Sequence, residues 1–134
     1  MSWTFLDYVD SNGSNQIEAW LDSLPKPARI PVRVKLTDIL IMHSVQEQLR
    51  PPRFDPLGAG RNMFKITFEM RKVAYRIFAC YGPGRGEVTL LAGAVERNNQ
   101  YRPPGVFDTA ARRRDEILPD RRRVVPTCLF LKSG

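Results

Sequence analysis

Histidine and cysteine are nearly absent from these 134 residues: His43 stands alone, and Cys80 and Cys128 are the only thiols. Neither a CxxC spacing nor a cluster of histidines accompanies them, which argues against a zinc site, and no metal or other cofactor is expected. With no secretory signal ahead of them, the thiols are expected to be reduced and the protein cytoplasmic. Long apolar runs are missing too. No stretch approaches the roughly 20 residues that a membrane span requires, so no membrane partner is expected. Repeats and low-complexity linkers are also lacking, so residues 1–134 read as one domain, with 119–134 as an extension or tail. Acidic residues are the scarcer charge: 14 against 21 basic ones, a net charge of +7, with Arg outnumbering Lys by 16 to 5. A guanidinium grips phosphate or carboxylate with a planar fork, so this balance predicts an anionic partner, nucleic acid or an acidic protein; the plainer reading is a solvated basic surface.

What is present is organised around the stretch from Asn62 to Gly93, which reads as three antiparallel strands. Phe64, Ile66, Phe68 and Met70 alternate with Lys65, Thr67, Glu69 and Arg71, the period of a half-buried strand. A two-residue turn at Arg71-Lys72 pairs Phe64 with Ala79, Thr67 with Arg76 and Met70 with Val73. Two faces follow. Val73, Tyr75, Ile77 and Ala79 complete the apolar one, while Lys65, Thr67 and Arg76 share the other, a cationic plate with Arg71 and Lys72 at its turn end. Tyr81 to Gly86 is a turn signal, and Glu87 to Gly93 forms the third strand.

Ahead of the sheet, Trp3 to Val9 predicts an edge strand ended by the Asp10–Gly13 turn. A helix follows, capped by Ser14 or Asn15, with Glu18 at capping-box spacing and Ile17, Trp20, Leu21 and Leu24 as its apolar stripe. Pro25 stops it. Pro27 and Pro31 suit the start of a second helix, in which Val34, Leu36, Ile39, Leu40 and Met42 point inward until about Gln48, with His43 near its end. This helical hairpin needs a sheet to cover. Residues 50–60, rich in proline and glycine, read as a connecting surface loop, and 94–105 as polar and irregular. A helix is expected from Phe107 or Asp108 to Leu118; its consecutive Arg112, Arg113 and Arg114 fan around the axis and cannot all face one ligand.

The residues Phe68-Glu69-Met70-Arg71, Tyr75-Arg76-Ile77-Phe78 and Leu90-Leu91-Ala92-Gly93-Ala94, in this order after a helical hairpin, resemble the core of the RelE/HigB superfamily of type II toxins, nearest its phage-derived HigB-like branch. The resemblance implies an α+β fold: an N-terminal strand and helical hairpin packed on an antiparallel sheet, with a C-terminal helix. It implies a metal-independent endoribonuclease that cuts messenger RNA on the ribosome and is silenced by a cognate antitoxin. Carried over by position, Arg71 and Arg76 hold the phosphate, Arg97 and Tyr101 complete the catalytic set, and Lys65, Lys72, Arg112 and Arg113 contact RNA. The histidine of that branch is Ala92 here, and its two lysines are Glu96 and Arg97. Ala moves no proton, and an arginine is a poor acid or base, so Tyr101, Lys65 or Lys72 must supply proton transfer. The alternative is a toxin-like module that has lost catalysis and binds RNA or protein. On the structural reading, Arg76 is paired with Glu69 or Glu87, and Tyr75 is packing.

Overall fold

Alternating apolar side chains carry the chain into a mostly antiparallel sheet, described by the computed structural model over residues 2–58 and 61–130. In order the elements are β1 (Thr4–Tyr8), α1 (Gln16–Ser23), α2 (Lys26–His43), β2 (Phe54–Pro56), β3 (Phe64–Met70), β4 (Val73–Tyr81), β5 (Glu87–Arg97), β6 (Gln100–Arg102), α3 (Val106–Ile117) and β7 (Val124–Pro126). The fold is α+β. Strands run in the order β2-β3-β4-β5-β1-β7, and among the described residues only β1 and β5 pair in parallel. β5 is long enough to hold β1 along its first residues and β6 along its last. Among the described residues no helix is long and apolar enough to cross a membrane.

The expected β3–β4 register is present, with Phe64 opposite Ala79 and Thr67 opposite Arg76. The helical hairpin covers the apolar face, burying Ile17, Leu21, Leu36 and Leu40 against Ile66 and Ile77. Fully burying each such side chain contributes roughly 1.5–3 kcal/mol. Asn15 caps α1: its Oδ1 accepts the N–H groups of Ile17 and Glu18 at 3.0 and 2.9 Å, and its Nδ2 donates to the buried Asp7 at 2.9 Å. One side chain thus starts the helix and ties it to β1.

Several local expectations need correction. β1 is not an edge strand, because β7 pairs with its outer side. The tail continues inward, where Cys128 and Leu129 join the hairpin core and the Cys128 N–H donates to Asp7 Oδ2 at 2.8 Å. α2 ends at His43, and Val34 and Met42 are 53% and 64% exposed. Its inward stripe is Val32, Leu36, Ile39 and Leu40, which lie within one arc of a helix with 3.6 residues per turn; Val34, two residues from Val32, points away. The 50–60 segment does more than connect. It adds β2 to the edge of β3, with Phe54 buried. Residues 94–105 are not irregular: β5 continues to Arg97 and returns as β6 through Asn98-Asn99, whose φ values of +52° and +60° suit asparagine.

The largest correction concerns the second face of the sheet. α3 packs on β4 and β5, and Val106, Ala110 and Ile117 join Phe78, Cys80, Leu91 and Ala94 in a second core. The β4–β5 part of the second face is therefore an apolar, covered surface, and the expected plate residues Lys65, Thr67 and Arg76 occupy only what remains of it. The unbroken run Ile77-Phe78-Ala79-Cys80, buried throughout, is the pattern of a strand covered on both sides.

Candidate functional site

Where α3 does not cover it, the second face stays polar. Strand alternation brings to it Asp55 of β2, Lys65 and Thr67 of β3, Arg76 of β4, Glu96 of β5 and Tyr101 of β6: Asp55 lies opposite Lys65, Thr67 opposite Arg76, and Glu96 opposite Tyr101. Tyr101 meets Phe78 edge to face, with ring centroids 5.3 Å apart, and the small Ala92 and Ala94 leave it room above β5. Its hydroxyl accepts a hydrogen bond from Lys65 Nζ at 3.1 Å, across two intervening strands. The same ammonium is 3.9 Å from Asp55 Oδ2.

Beside this pair, Arg76 Nε donates to Glu96 Oε1 at 2.9 Å, and its Nη1 donates to the Tyr75 carbonyl, also at 2.9 Å. The side chains of Lys65, Arg76 and Glu96 are 17%, 18% and 23% exposed. Such shielding strengthens their fields, and each charge faces an opposite one. The face is thus a set of compensated pairs rather than a bare cationic plate. Arg76 pairs with neither Glu69 nor Glu87 of the structural reading. Extension of β5 brings Glu96 to it instead, while Glu87 holds Arg121 at 3.2 Å.

Arg76 also lines a hollow of about 680 Å³ at the β3 edge, together with Arg50, Arg53, Thr67 and Glu69. Arg50 and Arg53 come from the segment expected only to connect. Thr67 clamps that segment: its N–H donates to the Arg53 carbonyl at 2.9 Å and its hydroxyl to the Pro52 carbonyl at 3.0 Å, while Arg53 Nη1 donates back to the Thr67 carbonyl at 2.7 Å. The signal available for them was the pair of arginines bracketing Pro51 and Pro52.

The other predicted residues lie elsewhere. Arg71 and Lys72 are exposed at the β3–β4 turn and Arg97 at the end of β5. Arg71 and Arg97 line a separate groove on the hairpin side, so Arg71, Arg76 and Arg97 do not share one cavity. Arg112 is exposed on α3, whereas Arg113 is half-buried. Arg113 donates to the Leu91 carbonyl at 2.8 Å and to Gln16 Oε1 at 3.2 Å, and its guanidinium sits 5.0 Å from the centre of the Tyr8 ring. Burial lowers the pKa of Arg113. Burial first, and then the Glu116 carboxylate that accepts from its hydroxyl at 2.7 Å, pushes Tyr8 up to about 12. Together these contacts latch α3 to β1, α1 and β5.

Both thiols are buried, which disfavours the nucleophilic thiolate. Burial pushes Cys80 up to about 12, and burial followed by the charge of Asp7 does the same to Cys128. Among the described residues no group of three or more His, Cys, Asp or Glu is arranged to hold a metal ion.

No known protein family, curated protein or solved structure matches this chain.

Proposed function

We propose that the chain is a RelE/HigB-like toxin of a type II toxin–antitoxin pair: a metal-independent, cytoplasmic endoribonuclease that cuts ribosome-bound messenger RNA and is silenced by a cognate antitoxin. The observation that carries this reading is the contact between Lys65 and Tyr101 beside Arg76 on one sheet face. The element order supports it: a strand, a helical hairpin, antiparallel strands and a later helix.

On this reading the ribose 2′-oxygen attacks the adjacent phosphorus and the bond from phosphorus to the 5′-oxygen breaks, leaving a 2′,3′-cyclic phosphate and a 5′-hydroxyl. Glu96 takes the 2′-hydroxyl proton. The Tyr101 hydroxyl gives its proton to the departing 5′-oxygen, and Lys65 stabilises the phenolate left behind. Arg76, whose Nη2 has no hydrogen-bond partner among the described residues, neutralises the non-bridging oxygens, helped by Arg50 and Arg53. The ion pair with Arg76 offsets the repulsion that Glu96 would otherwise offer a phosphate.

That same ion pair favours a second reading, a non-catalytic RNA- or protein-binding module whose phosphate site is closed by its own carboxylate. Ribosomes carrying a defined message, incubated with the purified protein and mapped by primer extension, separate the two. New ends bearing cyclic phosphate, lost in folded Tyr101→Phe and Arg76→Ala proteins, are the expected result. An intact message that is still bound favours the second reading, and an intact message with neither RNA nor protein bound overturns both.

A further inference from the structure

A groove of about 680 Å³ lies between the helical hairpin and the turn ends of the β3–β4 and β5–β6 hairpins. Trp20, Leu24, Pro31, Met70, Val73 and Val95 supply its apolar lining. Arg71, Arg97 and Arg102, all exposed, stand along it, and among the described residues that line it none is acidic. Among the described residues none of these three arginines forms an ion pair, although Arg33, Arg76, Arg114, Arg121, Arg122 and Arg123 all do. The groove therefore combines unfilled apolar surface with uncompensated positive charge.

Its rim is also held at a cost. Arg71 and Lys72 occupy the β3–β4 turn with φ of +51° and +66°, a left-handed conformation that disfavours side chains other than Asn, Asp and Gly. Asn or Gly would serve the turn better. A cationic turn kept against local preference, at the mouth of an apolar groove, points to a ligand for both features.

We propose that this groove is the docking site for an acidic, amphipathic segment of a partner protein, which seats apolar side chains on Val73, Val95 and Leu24 and sets carboxylates against Arg71, Arg97 and Arg102. Charge complementarity selects this occupant. A second copy would bring the same arginines and its own net charge of +7 to the contact. RNA would satisfy the arginines and leave the aliphatic lining of Val, Leu, Pro and Met without a partner, and the two aromatic rings of the groove offer no free stacking platform: Tyr75 is buried, and Trp20 is packed edge to face on it and against Gly93. The docking site serves the antitoxin of the reading above, yet it rests on the groove itself and holds whether or not the other face cuts RNA.

The test pans a random peptide library on the full-length protein, then measures the recovered peptides by fluorescence anisotropy against wild type, Val73→Asp and the double variant Arg71→Ser/Arg97→Ser. The double variant changes only exposed side chains, so it preserves the fold; near-ultraviolet circular dichroism checks both proteins. Recovered peptides should carry acidic residues flanking apolar ones. Their affinity should fall at least about tenfold in Val73→Asp and in the double variant, and should weaken as salt rises. Peptides without acidic residues, peptides that bind all three proteins equally, or no recovered peptide overturn the proposal. So does a dimer in sedimentation equilibrium that Val73→Asp dissolves, or a single-stranded RNA oligomer whose binding, unlike that of the peptides, depends on these residues. Cleavage of message is scored separately; its absence defeats the toxin reading while peptide binding decides this one.

Discussion

The indole of Trp20 lies against the backbone of Gly93: a methyl carbon built there falls 2.5 Å from Cε2 and closer still to Cδ2 and Cε3. Trp20 in turn meets Tyr75 edge to face at 6.4 Å, and Tyr75 stacks on Phe68 at 5.4 Å. Gly93 is thus the point where α1 sits down on the sheet, and the indole packed on it also lines the apolar groove.

Gly93→Ala should destabilise the protein by roughly 1–3 kcal/mol or more, because the ring has no flexible end to withdraw. Urea unfolding measures the loss, and adding Trp20→Leu should restore part of it. A Gly93→Ala protein as stable as wild type would show that α1 does not rest on this residue.

Stability should fall in alkali, with a sign set by the raised pKa values. Tyr8 is neutral in the fold up to about 12 against an ordinary 10.0, so its contribution is complete below pH 10 and is lost as pH rises through 12. The full difference amounts to about 3 kcal/mol. Cys80 and Cys128, raised to about 12 from 9.0, begin to lose theirs from pH 9. Urea midpoints taken across this range should decline less steeply above pH 10 in Tyr8→Phe. An identical slope would mean that burial and the Glu116 contact do not hold the phenol neutral.

Replacing Arg71-Lys72 by Asn-Gly should stabilise the β3–β4 hairpin by about 1 kcal/mol, since both positions have left-handed φ. The thermal midpoint reports it. A fall would show that the two cations contribute more to the fold than their backbone costs.

Glu96→Gln keeps an oxygen for Arg76 Nε and removes the charge. RNA affinity should rise several-fold in a salt-sensitive manner as repulsion disappears. Cleavage of ribosome-bound message should fall by about 10²–10⁴-fold as the base is lost. Unchanged cleavage would remove Glu96 from the proton path, and weaker RNA binding would show that its charge aids the complex.

How legible each feature is in the sequence depends on how local its cause is. The β3–β4 register follows from alternation and a two-residue turn and is present as expected, and of the two caps that the sequence offers for α1, Ser14 or Asn15, the structure uses Asn15. Val34 and Met42 are apolar, yet their angular position on α2 turns them to solvent. At the site, alternation correctly puts Lys65, Thr67 and Arg76 on one face, whereas Tyr101 reaches Lys65 only because β6 folds back and β5 offers alanines beneath it. Glu96, the partner of Arg76, belongs to a stretch whose polar composition carries no strand alternation, and only pairing with β4 and β6 makes it part of β5.

The sequence by itself determined the two periodicities, the hairpin register and the caps and turns, because each depends on neighbours a few residues apart. Tertiary structure decided that α3 covers the β4–β5 part of the second sheet face, that β1 lies between β5 and β7, that Glu96 neutralises Arg76, and that Arg71 and Arg97 border an apolar groove away from the polar face. Those outcomes arise from competition among distant segments for the same buried surface and for the same charges. No single segment's pattern specifies which partner wins.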